Sequence, residues 1–246
     1  MSRLLLDLGN TRMKWALCVP GGAGRPAARE WPEGASRAAA VLESIRLFEP
    51  ESVAVCSVLG SELERELLEA CPVPIRFVRP ADAEAFGVRL GYDDPDTLGV
   101  DRAVGLVAAW ARWGRACILV DCGTAVTVDA LDHRGRHRGG VILPGIRAML
   151  TALGTRTRGV NVRVAAEPAC PPVLARDTRG AVEAGACRAV VAGVEAVVAE
   201  MRETLGGAAA VMVCGGDAHW LARYTRLAVQ TVPDLVLEGL AMMVDA

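Results

Sequence analysis

Lysine is almost missing from this chain: of its 27 basic residues Lys14 is the single lysine, and the other 26 are arginine. Aromatic residues are scarce as well, at 4%, which removes the stacking platforms that single-stranded nucleic acids need. Neither sign of charge dominates. With a formal net charge of −2, nothing in the balance draws in nucleic acid or an acidic membrane surface. No Cys-x-x-Cys pair occurs among Cys18, Cys56, Cys71, Cys117, Cys122, Cys170, Cys187 and Cys214, and the three histidines do not stand at zinc spacing. The expectation is eight reduced thiols, several buried as small apolar residues. Long apolar runs are also lacking. Leu4 to Leu6 ahead of Asp7 is too short for the apolar part of an export signal. The stretch Ala189 to Ala199 is interrupted by Glu195 and flanked by Arg188 and Glu200, too polar for a membrane span. A cytoplasmic protein without a membrane partner is expected. Two nucleotide fingerprints are missing too: no Gly-x-x-x-x-Gly-Lys-Ser/Thr, and no Gly-x-Gly-x-x-Gly after a strand.

What is present is ample apolar material. The chain has 246 residues, 52% of them hydrophobic, enough for one large domain or two smaller ones. An apolar run from Arg3 to Gly9 reads as a buried strand, followed by strands at Lys14 to Pro20 and Ala27 to Trp31. A helix over Ser36 to Phe48, a strand at Ser52 to Val58, a helix from Ser61 with capping-box spacing to Glu64, and a strand at Pro74 to Val78 complete a first series. After a polar stretch and a helix over Asp101 to Arg112, the order begins again. Strands are expected at Cys117 to Asp121, Val126 to Leu131 and Gly139 to Leu143, then a helix at Pro144 to Leu153 and one long helix or two shorter ones over Thr178 to Leu205. A strand at Ala209 to Val213, a short helix, a strand at Leu227 to Thr231 and a closing helix over Pro233 to Val244 end the chain.

Each series therefore starts with a strand that delivers Asp-x-Gly and small polar residues: Asp7-Leu8-Gly9-Asn10-Thr11, then Asp121-Cys122-Gly123-Thr124-Ala125. A duplicated α/β unit explains this, with domains over 1–114 and 115–246.

An aspartate at a strand end can hold a metal ion. Gly9 permits a sharp turn and close backbone approach, the amides of such a turn bind anions, and Lys14 adds a positive point charge. The combination suits a polyphosphate. An ordinary hairpin would carry the same residue types, but the second Asp-x-Gly turn weakens that reading. Further along, Gly99-Val100-Asp101-Arg102 opens a helix. Asp101 could simply favour the helix dipole. It could equally take the proton of an alcohol during phosphoryl transfer, with Arg102 holding a substrate carboxylate in a two-pronged contact.

These segments resemble type III pantothenate kinases, a family shared with the Bvg accessory factor proteins. The likeness is carried in order by Asp7 to Lys14, Gly99 to Arg102, Asp121 to Thr127, Gly139 to Gly145, Gly215-Gly216-Asp217-Ala218 and Asp234 to Leu240. The resemblance implies an α/β fold of two ribonuclease H-like domains in tandem, as in actin, Hsp70 and the acetate and sugar kinases. It implies ATP-dependent phosphorylation of pantothenate at the start of coenzyme A biosynthesis. By the same resemblance Asp7, Leu8, Gly9, Asn10, Thr11, Arg12, Met13, Lys14 and Thr124 bind ATP, with Asp7 near magnesium. Asp101 is the catalytic base. Tyr92, Gly99, Val100, Asp101, Arg102 and Thr178 line the pantothenate site. Asp121 holds a monovalent cation, potassium or ammonium, and Gly215 and Gly216 border the nucleotide. A homodimer, with part of the substrate pocket supplied by the partner, is also implied.

The sequence departs from the family pattern at Cys214, where threonine is common, and at Asp177-Thr178, where Asn-Thr is usual. Two rival functions remain at this level: a regulatory ATP-binding protein of the same fold, and a kinase for another small hydroxy acid. Trp110, Trp113 and Trp220 read as packing residues, and His133 and His137 as parts of a solvated hairpin.

Overall fold

The computed structural model describes residues 2–19, 22–156, 169–207 and 209–244. The chain divides into two compact units, Met1–Arg112 with Asp234–Ala246, and Trp113–Pro233.

The first unit is built on strands β1 (Arg3–Leu8), β2 (Arg12–Val19), β3 (Gly22–Ala23), β4 (Ala27–Glu30), β5 (Ser52–Ser57) and β6 (Ile75–Phe77). Their order is β3-β2-β1-β5-β6, with β4 also on β2. β1 runs antiparallel to β2 and parallel to β5. Alternation along β1 then decides the two faces. Leu4, Leu6 and Leu8, with Met13, Val53 and Val55, pack on Ala38, Val41 and Ile45 of α1 (Arg37–Phe48) and on Leu63 and Leu67 of α2 (Ser61–Ala70). The closing helix α7 (Leu235–Val244) packs against β1, β2 and β5 of this same unit. It comes close to α3 (Val100–Trp113): a Cβ on Gly239 would overlap the carbonyl oxygen of Val104. A split of the chain at residue 114 thus leaves α7 on the wrong side, because its apolar residues Leu235, Val236, Leu240 and Met243 are buried in the first unit.

The second unit repeats the plan. Its strands are β7 (Cys117–Cys122), β8 (Ala125–Leu131), β9 (His137–Pro144), β10 (Ala210–Cys214) and β11 (Val229–Thr231), in the order β11-β10-β7-β8-β9. Again the first strand is central, antiparallel to the next in sequence and parallel to a later one. Ile118, Val120, Val126, Val128, Val211 and Val213 pack on Ile146 and Leu150 of α4 (Ile146–Arg156), on Val190, Val194 and Val198 of α5 (Thr178–Thr204), and on Leu221 of α6 (Ala218–Tyr224). α5 is one unbroken helix, capped by Asp177, whose carboxylate accepts from the Gly180 N–H at 2.8 Å. Among the described residues, no helix is long and apolar enough to cross a membrane.

Four local expectations change. The Ser61–Glu64 capping box does not form: α2 follows Gly60 with no side-chain cap, and Glu64 instead pairs with Arg79. An arginine fork on a carboxylate outcompetes a single backbone donor. His137 is buried, with Nε2 2.9 Å from the Asp129 carboxylate, while only His133 stays exposed. Strand alternation turns His137 inward once β9 begins there. Trp113 stacks under Arg115 at 5.7 Å and is half-buried, whereas Trp220 joins the core and Trp110 lies over Gly87. Finally, Cys170 and Cys187 form a disulfide, with Cα atoms 5.4 Å apart. They lie 17 residues apart, and residues 169–177 lead into the start of α5, a return that no short cysteine motif announces.

Candidate active site

In the first unit, β2 starts at Arg12, earlier than the sequence suggests, and this shortens the turn after β1 to Gly9, Asn10 and Thr11. Lys14 therefore stands inside a strand, directly opposite Asp7. Side chains of an opposed antiparallel pair share one face, with Cβ atoms about 5 Å apart. The turn is closed by the Gly9 N–H donating to the Arg12 carbonyl at 3.1 Å.

The turn's other carbonyls are also occupied. The Trp31 indole N–H donates to Gly9 O at 2.8 Å, the Trp31 backbone N–H to Thr11 O at 3.2 Å, and Arg37 Nη2 to Asn10 O at 3.1 Å. The Arg37 guanidinium lies 5.6 Å from the Trp31 ring centre. Trp31 follows β4, which is paired to β2, and Arg37 opens α1 beside the Ser36 cap, so both are delivered by ordered elements.

The second cluster of the first unit sits at the start of α3. Asp101 Oδ1 accepts the Arg102 N–H at 2.8 Å, which fixes the orientation of the carboxylate. Gly99 leaves room for it: an added Cβ would stand 2.6 Å from the same oxygen. Arg102 is buried, and its Nη1 donates to the Tyr92 hydroxyl at 2.9 Å while its Cζ lies 5.5 Å from the Tyr92 ring centre. Tyr92, Gly99, Asp101 and Arg102 thus lie together, and Val100 is buried.

In the second unit, Asp121 stands one residue before the end of β7, beside Thr127 of β8 and Cys214 of β10. The following turn is held by three backbone bonds: Gly123 N–H to Ala125 O at 2.9 Å, Gly145 N–H to Thr124 O at 3.0 Å, and Asp217 N–H to Cys122 O at 2.9 Å. Two glycines make the fit possible. A Cβ on Gly145 would press on the carbonyls of Gly123 and Thr124, and one on Gly215 would overlap Asp121 Oδ1 and Cys122 O. Gly215 also has φ 88°, where an L side chain is strained. Asp217 is buried and meets Arg147 of α4 at 3.3 Å. Burial pushes the Cys122 thiol strongly up, and the charges of Asp121 and Asp217 add to this. Thr178 is the first residue of α5, next to the Asp177 cap.

The candidate residues therefore fall into the two units: Asp7 to Lys14, Tyr92 and Gly99 to Arg102 in the first, Asp121, Thr124 and Thr178 in the second.

Comparison with known proteins decides among the functions such a set could serve. The family model for type III pantothenate kinase matches residues 3–200. A type III pantothenate kinase from Alcanivorax borkumensis is 37% identical over 246 residues, spanning 96% of this chain and 96% of its own length.

The chain belongs to the type III pantothenate kinase family.

Solved structures agree on the fold. The inorganic polyphosphate/ATP-glucomannokinase from Arthrobacter sp. strain KM superposes with a TM-score of 0.52 at 14% identity, covering 98% of this chain and 97% of that one. The activator of the 2-hydroxyisocaproyl-CoA dehydratase from Clostridium difficile, crystallised with ADPNP, gives 0.51 at 15% identity, covering 99% and 93%. The type III pantothenate kinase chain described here is thus an α/β protein of the actin-like and sugar-kinase-like class, with two ribonuclease H-like units, and it is a kinase. Sequence reasoning missed Trp31, Arg37 and Arg147. Only an Arg or Trp on a flanking element could have hinted at the first two, because their partners are backbone carbonyls that leave no trace in composition.

Proposed function

We propose that this chain transfers the γ-phosphoryl group of ATP to the hydroxyl of pantothenate, giving 4'-phosphopantothenate and ADP, the first step of coenzyme A biosynthesis. The observation that carries the site assignment is the pair Asp101 and Arg102 with Tyr92. A carboxylate of fixed orientation stands next to a buried guanidinium that donates to the Tyr92 hydroxyl. Pantothenate offers both a hydroxyl and a carboxylate, and this pair suits one of each. Asp101 takes the hydroxyl proton, the freed oxygen bonds to the γ-phosphorus, and the bond to the β–γ bridging oxygen breaks as ADP leaves. Arg102 anchors the substrate carboxylate with Tyr92, Gly99 and Val100 around it.

Asp7 to Lys14 and Thr124 bind ATP in this reading. It is supported by a turn whose carbonyls are engaged by the protein itself and by the opposed Lys14. Asp7 would hold magnesium, which would supply charge neutralisation on the phosphates. Asp121 holds a potassium or ammonium ion. The convergence of Asp121 Oδ1 and Cys122 O over Gly215 supports an oxygen-liganded cation. A homodimer in the cytoplasm completes the proposal; exposed Ile142 on the edge strand β9 offers an apolar contact for it, and light scattering tests it.

The test is ADP release with magnesium-ATP and pantothenate, first in potassium and then in sodium. Pantothenate-dependent turnover in potassium, reduced in sodium and lost in Asp101→Asn with substrate binding kept, is the expected result. A folded protein that binds ATP but turns over no pantothenate in either salt would overturn it.

A further inference from the structure

We propose that Trp31 and Arg37 are positioning residues for ATP, setting the phosphate-binding turn in its anion-accepting orientation; the proposal rests on the reading of Asp7 to Lys14 as the phosphate site.

The argument starts from peptide geometry. In a trans peptide the C=O of one residue and the N–H of the next point in opposite directions, and no cis peptide occurs among the described residues. Fixing a carbonyl therefore fixes the following amide. The Gly9 carbonyl is drawn towards the Trp31 indole, so the Asn10 N–H points away from it. The Asn10 carbonyl is drawn towards Arg37, so the Thr11 N–H points away from that side chain. Asn10 and Thr11 are both exposed. Two successive amides are thus aimed by two side chains that themselves lie on other elements. A short turn without these anchors could rotate its peptides and present carbonyl oxygens, which repel phosphate.

The anchors also brace each other. Arg37 stacks on Trp31, so the cation that holds Asn10 O also limits the swing of the ring that holds Gly9 O. A donor turned to the ligand in advance costs no reorganisation when the ligand binds. Losing either anchor should therefore weaken phosphate recognition without touching adenosine or pantothenate. Arg37 adds a positive charge to the same neighbourhood, next to a cluster that otherwise has Lys14 as its ammonium.

The experiment compares wild type with Trp31→Phe, Arg37→Met, Arg37→Lys and the control Lys14→Met. Calorimetry gives Kd for magnesium-ATP and for adenosine, steady-state kinetics give KM for ATP and for pantothenate, and melting temperatures establish that each variant is folded. Trp31→Phe keeps the ring and removes only the indole donor. It and Arg37→Met should each weaken ATP by about five- to tenfold, the size of one net hydrogen bond. Adenosine Kd and pantothenate KM should stay within about twofold, the scatter expected of a remote change. Arg37→Lys, which can still donate to Asn10 O, should recover part of the loss.

If Trp31→Phe and Arg37→Met bind ATP as wild type does while Lys14→Met loses it, the turn is the phosphate site but these two residues do not set it. If ATP and adenosine weaken in parallel, the effect is on the fold and the proposal fails. If Lys14→Met also binds ATP normally, the phosphate reading itself falls, and this proposal with it.

Discussion

Gly99 and Asp101 share one small volume: a methyl group on Gly99 would stand 2.6 Å from Asp101 Oδ1, the oxygen that accepts the Arg102 N–H. Gly99→Ala must then swing the carboxylate off that bond. Since a displacement of about 1 Å in a reacting group costs on the order of 100-fold in rate, kcat should fall by about that factor while ATP binding stays unchanged. Steady-state kinetics beside ATP calorimetry check it; an unchanged kcat removes Asp101 from the base position.

Gly239→Ala tests the packing of α7. Alanine is the better helix former by about 1 kcal/mol, yet the new methyl would overlap the Val104 carbonyl and crowd its Cγ1. Overpacking against backbone costs about 1–3 kcal/mol or more, so the variant should melt several degrees lower, about 2–4 °C for each kcal/mol. A rise in melting temperature would mean that α7 and α3 can separate at no cost.

Thiol chemistry gives an independent check on the cysteines. Denatured without reductant, the protein should titrate six thiols, and after reduction eight, because Cys170 and Cys187 are joined. In the folded protein, burial pushes Cys117 up to about 12, against a smaller opposing pull from Arg115, and raises Cys122 further. A raised thiol pKa leaves the group protonated at pH 8, so alkylation there should mark the half-buried Cys18 and Cys71 and spare Cys117 and Cys122. Mass spectrometry of the labelled peptides reads the pattern.

Gly215→Ala combines a left-handed backbone angle with atoms driven into Asp121 and Cys122. Stability should drop by about 1–3 kcal/mol. The potassium concentration for half-maximal activity should rise, because the displaced oxygens are those assigned to the cation. A variant that melts early but keeps the wild-type potassium response would relocate the cation site away from Asp121.

Much of this was legible from local chemistry. A strand that ends in Asp-x-Gly and small polar residues announces a ligand-facing turn, and its recurrence at Asp121 announced a repeated unit, because both signals lie within a few residues. Lys14 stood out by being the only lysine. What stayed hidden depends on distance along the chain. The Cys170–Cys187 bond, the Arg147–Asp217 pair and the burial of His137 on Asp129 arise from elements that meet only after folding. The Trp31 and Arg37 anchors act on main-chain oxygens, which every residue carries, so no residue pattern could reveal them. The Ser61 cap failed for a similar reason: Glu64 was claimed by Arg79, a partner from a different segment.

The membership of α7 in the first unit has a consequence for biosynthesis. A ribosome makes that unit's strands first and α7 only after the whole of Trp113–Pro233 has been made. The second unit is continuous and can close as soon as it emerges, whereas the first waits with the faces of β1 and β5 that α7 covers still open. A nascent chain released short of Leu235 would carry the whole sequence of the second unit attached to a first unit that lacks α7.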